Sequence, residues 1–155
     1  MQLDRHWIGA HIPHAGSMCL LDAVLSWDTS RIKCRASSHR DANNPLRSHG
    51  RLGCACGVEY AAQAMAVHGA LVAGRDGAPA PGYLVGLRRI VLHVARLDDI
   101  ESDLLISGER INGDATTVVY EFAVYNEVRA FLSGRATVVL DAAAIARTPV
   151  VPRAS

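Results

Sequence analysis

Residues Gly57 to Ala73 read GVEYAAQAMAVHGALVA, a stretch that contains six alanines and no proline. Alanine has the highest helix propensity, and the stretch is long enough for more than four helical turns. Glu59, Gln63 and His68 are its strongly polar side chains, so almost every face is apolar or small, which is typical of an enclosed helix. Gly74 follows the stretch, and glycine is the residue that most often ends a helix. The sequence therefore predicts one long, buried helix.

Segments on both sides of this helix have the composition and alternation of β-strands. Two precede the helix and four follow it: Met18 to Trp27, Arg31 to Ala36, Tyr83 to Val94, Asp103 to Ile111, Thr117 to Asn126 and Arg129 to Leu140. Residues 37–51 predict a long loop, and Asn112-Gly113-Asp114 predicts a hairpin turn. This order predicts an α+β fold in which one antiparallel sheet wraps around the helix. Because a single sheet covers only part of the helix and leaves open strand edges, we expect a dimer.

The composition narrows the class of protein. A length of 155 residues predicts one domain, which we place at residues 1–147, followed by a flexible tail at 148–155. The formal charge of +1 argues against non-specific binding of nucleic acid. No apolar run is long enough to span a bilayer, and the N-terminus lacks the pattern of a secretory leader. We therefore expect a cytoplasmic protein whose four cysteines are reduced.

Glu59 is the first candidate for chemistry, because it is a carboxylate at the start of an apolar helix. Burial raises the pKa of such a group and the helix dipole lowers it, and the sequence leaves open which effect is larger. Gln63 lies four residues later, so both side chains can project from one face and share a ligand. A glutamate in the first turn can also serve only to cap the helix.

His14 and His49 are candidate proton acceptors, because a neutral imidazole is the usual base near pH 7. His14 follows Pro13 and precedes small residues that leave room for a ligand, although a turn histidine can also be purely structural. His49 lies in the polar loop ten residues before Glu59, where histidines are often simply solvated. The spacing of the histidines and cysteines gives only a weak metal signal, so we expect no metal site.

Three motifs together resemble a known family: IPHAGSMCLLD at residues 12–22, NPLRSHGRL at 44–52 and GVEYAAQAMAVHGAL at 57–71. With GYLVGLRRIVLHVARLDD at 82–99 and YEF at 120–122, they resemble the bacterial hot-dog-fold 3-hydroxyacyl-(acyl carrier protein) dehydratases, most closely the aryl-polyene-type, ApeP-like branch. The resemblance runs from about Ile12 to Leu140. It implies a hot-dog fold and a dehydratase of fatty-acid or aryl-polyene-like biosynthesis.

The resemblance also implies roles for particular residues. Glu59 matches the helix carboxylate of the fatty-acid dehydratases, including the spacing to Gln63, and becomes the catalytic acid. His14 resembles a histidine in a Leu-Pro-His-type motif and becomes the base, with His49 as its substitute. A main-chain N–H near Gly57 would polarise the thioester carbonyl, and Gln63 would contact the substrate.

The resemblance further implies partners. The substrate would be carried on the phosphopantetheine of an acyl carrier protein, with no other cofactor, and the chain would form a homodimer or a heterodimer with a related hot-dog subunit. Basic residues near the site could meet the acidic carrier: Arg47, Arg51, Arg88 and Arg89.

One departure from the family leaves alternatives open. The Gly-His-Phe-Pro loop motif of the fatty-acid dehydratases is missing here, which favours a non-catalytic acyl-binding partner subunit of an active dehydratase. An acyl-thioesterase is the other alternative, because the same fold supports hydrolysis.

Overall fold

The computed structural model describes residues 3–12, 16–74, 83–114 and 116–139. These residues form two α-helices and seven β-strands. Their bounds are β1 Leu3–Asp4, α1 Arg5–His11, β2 Ala23–Trp27, β3 Arg31–Ala36, α2 Gly57–Ala73, β4 Tyr83–Leu92, β5 Leu104–Gly113, β6 Thr117–Tyr125 and β7 Ala130–Val139. Short 3-10 turns cover Gly16–Met18, Ser38–Arg40 and Cys54–Cys56.

The seven strands form one antiparallel sheet in the order β1-β2-β3-β5-β6-β7-β4. Helix α2 packs on one face of this sheet, against β3, β5 and β6. Alternation explains the contact: Val118, Tyr120, Phe122 and Val124 of β6 are buried on the inner face, while the residues between them are less buried. The predicted hot-dog architecture, one sheet curved around one long helix, is confirmed.

The helix has the bounds predicted from its sequence. It begins at Gly57 and ends at Ala73, and Gly74 caps it with a positive φ of 60°, a conformation that glycine adopts without strain. The three turns after Gly57 are largely buried, whereas Val72 at the other end is exposed. Among the described residues, no helix is both long and apolar enough to cross a membrane.

The N-terminal side differs from the prediction. The predicted strand Met18 to Trp27 is β2 and begins at Ala23, because the backbone of Met18 and Leu20 bonds to the side chain of Gln63 instead of to another strand. Strand β1 was not predicted. Helix α1 was not predicted; Asp4 caps it by accepting a hydrogen bond from the Trp7 N–H at 2.9 Å.

The later strands agree with their predictions to within two residues at each end. The predicted turn at Asn112–Asp114 lies slightly later, because β5 continues through Gly113 and the Asp114 N–H donates to the Thr117 carbonyl at 2.9 Å. The proposed tail at 148–155 lies outside the described residues.

Strand β4 is the least covered part of the sheet. It pairs with β7 and, in the described part of the chain, is an end strand. Its register with buried β7 residues places four apolar side chains on the inner face, yet they are 36–49% exposed: Leu84, Leu87, Ile90 and Leu92. Helix α2 therefore covers one half of the inner face and leaves the β4 half open.

Candidate active site

The start of α2 is fixed against the sheet near the end of β4. The Cys54 N–H donates to the Ala95 carbonyl at 3.1 Å, and the Cys54 thiol donates to the Phe131 carbonyl at 3.2 Å. Gly57 lies so close to β7 that a Cβ atom there would be 2.7 Å from Cδ2 of Leu132. The first turn of the helix therefore lies beside the uncovered half of the inner face.

Asp98 anchors the chain that leads into this turn. Its Oδ1 accepts a hydrogen bond from the Leu52 N–H at 2.9 Å, and the Leu97 N–H donates to the Leu52 carbonyl at 2.8 Å. The Arg96 guanidinium also binds the Asp98 carboxylate, and this contact holds the pKa of Asp98 well below its usual range. The charged pair thereby ties residue 52 to the segment after β4.

Glu59 lies in the first turn of α2 and is partly exposed. Gln63, four residues later, is fully buried, and its Nε2 lies 3.4 Å from Oε1 of Glu59. The same amide group donates to the Met18 carbonyl at 2.6 Å, while the amide oxygen accepts from the Leu20 N–H at 2.9 Å. Gln63 thus links the candidate carboxylate to the backbone at residues 18–20.

A second buried network, which the sequence analysis missed, holds the same backbone segment. The Ser38 hydroxyl donates to the Leu20 carbonyl at 2.8 Å and lies 2.8 Å from the Tyr60 hydroxyl. Asn44 donates from Nδ2 to the Ser38 carbonyl at 2.8 Å and to the Tyr60 hydroxyl at 3.1 Å. Burial raises the pKa of Tyr60, so its hydroxyl remains neutral and able to donate. A lone tyrosine in an alanine-rich helix and an asparagine before proline were the available sequence signals.

The structure describes only one of the two candidate histidines. His14 lies outside the described residues. His49 is exposed and, with Gly50, has a positive φ in a tight turn closed by two hydrogen bonds between Ser48 and Arg51. Within the described ranges, no hydrogen bond or ion pair connects the His49 ring to Glu59. The catalytic roles of Glu59, His14 and His49 stay predictions.

The two predicted substrate contacts have other visible functions. The Gly57 N–H is directed back at carbonyls of its own 3-10 turn, and the missing side chain allows α2 to approach β7 closely. Gln63 is buried and already bonds to three groups. The geometry gives Gly57 a packing role and Gln63 a positioning role, and their predicted contacts with substrate remain hypotheses.

The described residues contain no group of three or more histidine, cysteine or acidic side chains arranged to hold a metal ion. All four cysteines are free thiols. Burial raises the pKa of Cys19, Cys34 and Cys54. These three thiols therefore pack as small apolar side chains.

Comparison with known proteins gives one family. The family model for ApeP dehydratase, described as ApeP-like, matches residues 7–146. The chain has no match among curated proteins.

Solved structures show the same fold. The dehydratase heterocomplex ApeI:P from Xenorhabdus doucetiae is similar with a TM-score of 0.76 and 22% identity, over 86% of this chain and 90% of that chain. A thioesterase from Haemophilus influenzae has a TM-score of 0.54 and 12% identity, over 75% of each chain. A hypothetical thioesterase from Streptococcus pneumoniae, solved with coenzyme A, has a TM-score of 0.52 and 19% identity, over 76% of this chain and 83% of that chain. Because the family model spans most of the sequence, this protein belongs to the ApeP-like family of dehydratases.

Proposed function

We propose that this dehydratase removes water from 3-hydroxyacyl thioesters carried on an acyl carrier protein, in the cytoplasm, during fatty-acid or aryl-polyene-like biosynthesis. The observation that carries the proposal is the placement of Glu59 in the first turn of α2, where the buried amide of Gln63 lies 3.4 Å from its carboxylate. A long apolar acyl chain needs an apolar surface to lie against, and the inner face of β4 would supply one wall of it, with the second subunit proposed below as the other.

The reaction needs two groups that act together, because the C2 proton beside a thioester is weakly acidic and hydroxide is a poor leaving group. A neutral imidazole takes the C2 proton, and the electron pair of the broken C2–H bond forms the double bond between C2 and C3. The C3–O bond breaks, and protonated Glu59 donates its proton so that the hydroxyl leaves as water. Transfer of the C2 proton from the imidazolium to the Glu59 carboxylate restores both groups.

His14 is the proposed base. It precedes Met18 by four residues, and the Met18 carbonyl accepts a hydrogen bond from Gln63. His49 is the substitute, acting from an exposed turn.

We also propose that the working unit contains two hot-dog subunits, either two copies of this chain or this chain and a related subunit. The exposed apolar side chains of β4 and its open edge support a second subunit. The similar structure from Xenorhabdus doucetiae is a dehydratase heterocomplex, which favours the mixed form.

The test is turnover of a 3-hydroxyacyl carrier protein substrate, followed by the absorbance of the new conjugated double bond. Glu59→Gln keeps the shape of the side chain but removes the acid, so we expect turnover to fall by about 100-fold or more while the circular dichroism spectrum is unchanged. Unchanged turnover would remove Glu59 from the mechanism. His14→Ala and His49→Ala, assayed in parallel, identify the base, and full activity in both would refute the acid–base pair.

The missing Gly-His-Phe-Pro motif favours one second candidate, a non-catalytic subunit that completes an active partner. Assays of the chain alone and mixed with a related hot-dog dehydratase subunit separate the two. If Glu59→Gln has no effect on the turnover of the mixture, the chain is the non-catalytic subunit. Release of free thiol without a new double bond would instead indicate a thioesterase.

A further inference from the structure

Arg88 and Arg89 form an unusual pair of charges at the open edge of the sheet. Both are exposed on β4, and no ion pair in the described part of the chain involves either of them. Arg89 has a positive φ of 55°, and the strand is bulged between Arg88 and Val91. Bulges and charged side chains on end strands are devices that oppose unwanted pairing of sheet edges.

Arg88 also ends a row of charges that crosses the outer face of the sheet. The strand register places five side chains opposite one another in sequence: Arg31, Glu109, Glu121, Arg135 and Arg88. Arg31 lies 3.3 Å from Glu109, and Arg135 lies 3.5 Å from Glu121, so each of these carboxylates already has a cation. Arg88 is therefore a surplus cation that faces Arg135 across the strand pair, and like charges placed opposite one another are destabilising.

Pairing with an identical chain would increase this repulsion. The centre of β4 lies between Leu87 and Arg88, so a two-fold antiparallel pairing that uses most of the strand brings the two Arg88 residues together. They would lie opposite or diagonal to each other, with Cβ atoms about 4.5–8 Å apart. Arg89 adds a second cation next to each of them. The edge is therefore poorly suited to a second copy of this chain.

We infer that β4 selects a non-identical subunit whose own end strand carries aspartate or glutamate at the positions that meet Arg88 and Arg89. Such a carboxylate would continue the charge row beyond β4 and neutralise its surplus cation. The apolar inner side of β4 supplies the burial that holds the two subunits together, while the arginines determine which subunit binds. This inference rests on the two-subunit assembly of the proposed function and adds the chemistry of the partner.

The experiment uses this chain and its own charge-reversed variant, so no other protein is needed. Wild-type chain labelled with ¹⁵N is mixed with unlabelled Arg88→Glu/Arg89→Glu, and native mass spectrometry counts the two like dimers and the mixed dimer. Random 1:2:1 mixing gives a ratio of mixed to like dimers of about one, and we expect this ratio to rise about tenfold at low salt, because each arginine would then meet a glutamate. The excess should fall as salt screens the charges.

Arg31→Glu is the matched control, because it reverses a charge at the other end of the same row, on β3, which is paired along both edges. When Arg31→Glu is mixed with wild type, the like and mixed dimers should form in the random 1:2:1 proportion. Arg88→Ala/Arg89→Ala removes the repulsion and should dimerise with itself about tenfold more tightly than wild type. A random mixture of wild type with the glutamate variant, or no mixed dimer at all, would overturn the inference.

The readout is association alone, so it is independent of catalysis. A random mixture together with normal dehydration would reject the role of the arginines and leave the proposed function intact. A mixed dimer in excess together with no dehydration by any form would reject the proposed reaction and leave the partner chemistry supported.

Discussion

Gln63 is a buried amide that links the proposed catalytic acid, Glu59, to the backbone of residues 18–20. Its amide group reaches both Glu59 and the Met18 carbonyl, and its oxygen holds the Leu20 N–H. Gln63→Met has a similar volume but no polar groups, so it leaves these two backbone groups buried without their partner. We expect the free energy of unfolding to fall by about 1–3 kcal/mol, measured by urea denaturation, and turnover to fall with it.

Gln63→Glu removes the donor alone, because its ionised carboxylate can still accept from the Leu20 N–H but can donate neither to Glu59 nor to the Met18 carbonyl. Because it buries a charge beside Glu59, this variant should lose at least as much stability as Gln63→Met, and its turnover should fall as far. Ala73→Met, at the exposed end of the same helix, controls for placing methionine in α2. If Gln63→Met were as active as wild type, Gln63 would have no positioning role.

The buried imidazole of His68 makes the stability of the protein depend on pH. It is 1% exposed; its Nε2–H donates to the Asp28 carbonyl at 2.8 Å, and its Nδ1 accepts from the Tyr120 hydroxyl at 2.6 Å. Burial lowers the pKa of His68 and also that of buried His39, with nearby Arg110 and Arg40 acting in the same direction. The unfolded chain therefore binds a proton first as the pH falls below about 6.5.

We consequently expect the free energy of unfolding to decrease between pH 6.5 and pH 5, by at most about 1.4 kcal/mol per pH unit for each histidine. Urea denaturation at several pH values measures this slope. His68→Gln should flatten it, whereas His49→Gln, at an exposed position, should leave it unchanged. An identical slope in His68→Gln would show that this imidazole is not kept neutral by folding.

The sequence predicts single residues only where the local pattern makes them conspicuous. Glu59 and Gln63 stand out because they are polar side chains in an apolar helix at a spacing of one turn. The Ser38, Asn44 and Tyr60 network could not be predicted, because its members are separated by up to 22 positions and meet only after the loop folds onto α2.

At the scale of elements, the contact between α2 and β7 depends on Gly57. A methyl group there would lie 2.7 Å from the Leu132 side chain, which is fully buried and has little room to move. We expect Gly57→Ala to destabilise the protein by about 1–3 kcal/mol, measured by chemical denaturation. It should also lower turnover, because the helix start carries Glu59.

Gly9→Ala is the matched control, because Gly9 is also helical and an added Cβ would have no neighbour within 4 Å. Alanine is the better helix former, so this variant should be stabilised by about 0.5–1 kcal/mol. Equal effects of the two substitutions would mean that helix propensity, and not close packing, decides the cost at Gly57.

Elements differ in how well the sequence predicts them. Helix α2 could be predicted to the residue because its composition, its length and its glycine cap all agree. The apolar run from Met18 predicts a strand, but the backbone of Met18 and Leu20 forms hydrogen bonds with the side chain of Gln63 instead of with a neighbouring strand. Helix α1 has only seven residues, too few for a helical pattern to be distinguished from a loop.

For the molecule as a whole, the uneven coverage of the sheet has a thermodynamic consequence. One face of β4 exposes four large apolar side chains, although their β7 neighbours are buried in the core. Such a surface gains free energy when a second subunit covers it. Composition and open strand edges predicted a second subunit, but only the fold identifies β4 as the uncovered strand.

Leu87→Asp tests this surface, because Leu87 lies on the inner face of β4 and is 42% exposed in the single chain. A charge there costs little in the isolated subunit but would be buried in the assembly, so we expect the chain to stay folded while its affinity for a related hot-dog dehydratase subunit falls by at least about 100-fold. Light scattering during size-exclusion chromatography measures the association. Val128→Asp, at a position 87% exposed, should change neither folding nor association. If Leu87→Asp associates as well as wild type, the partner binds elsewhere, and the exposed half of the sheet has another purpose.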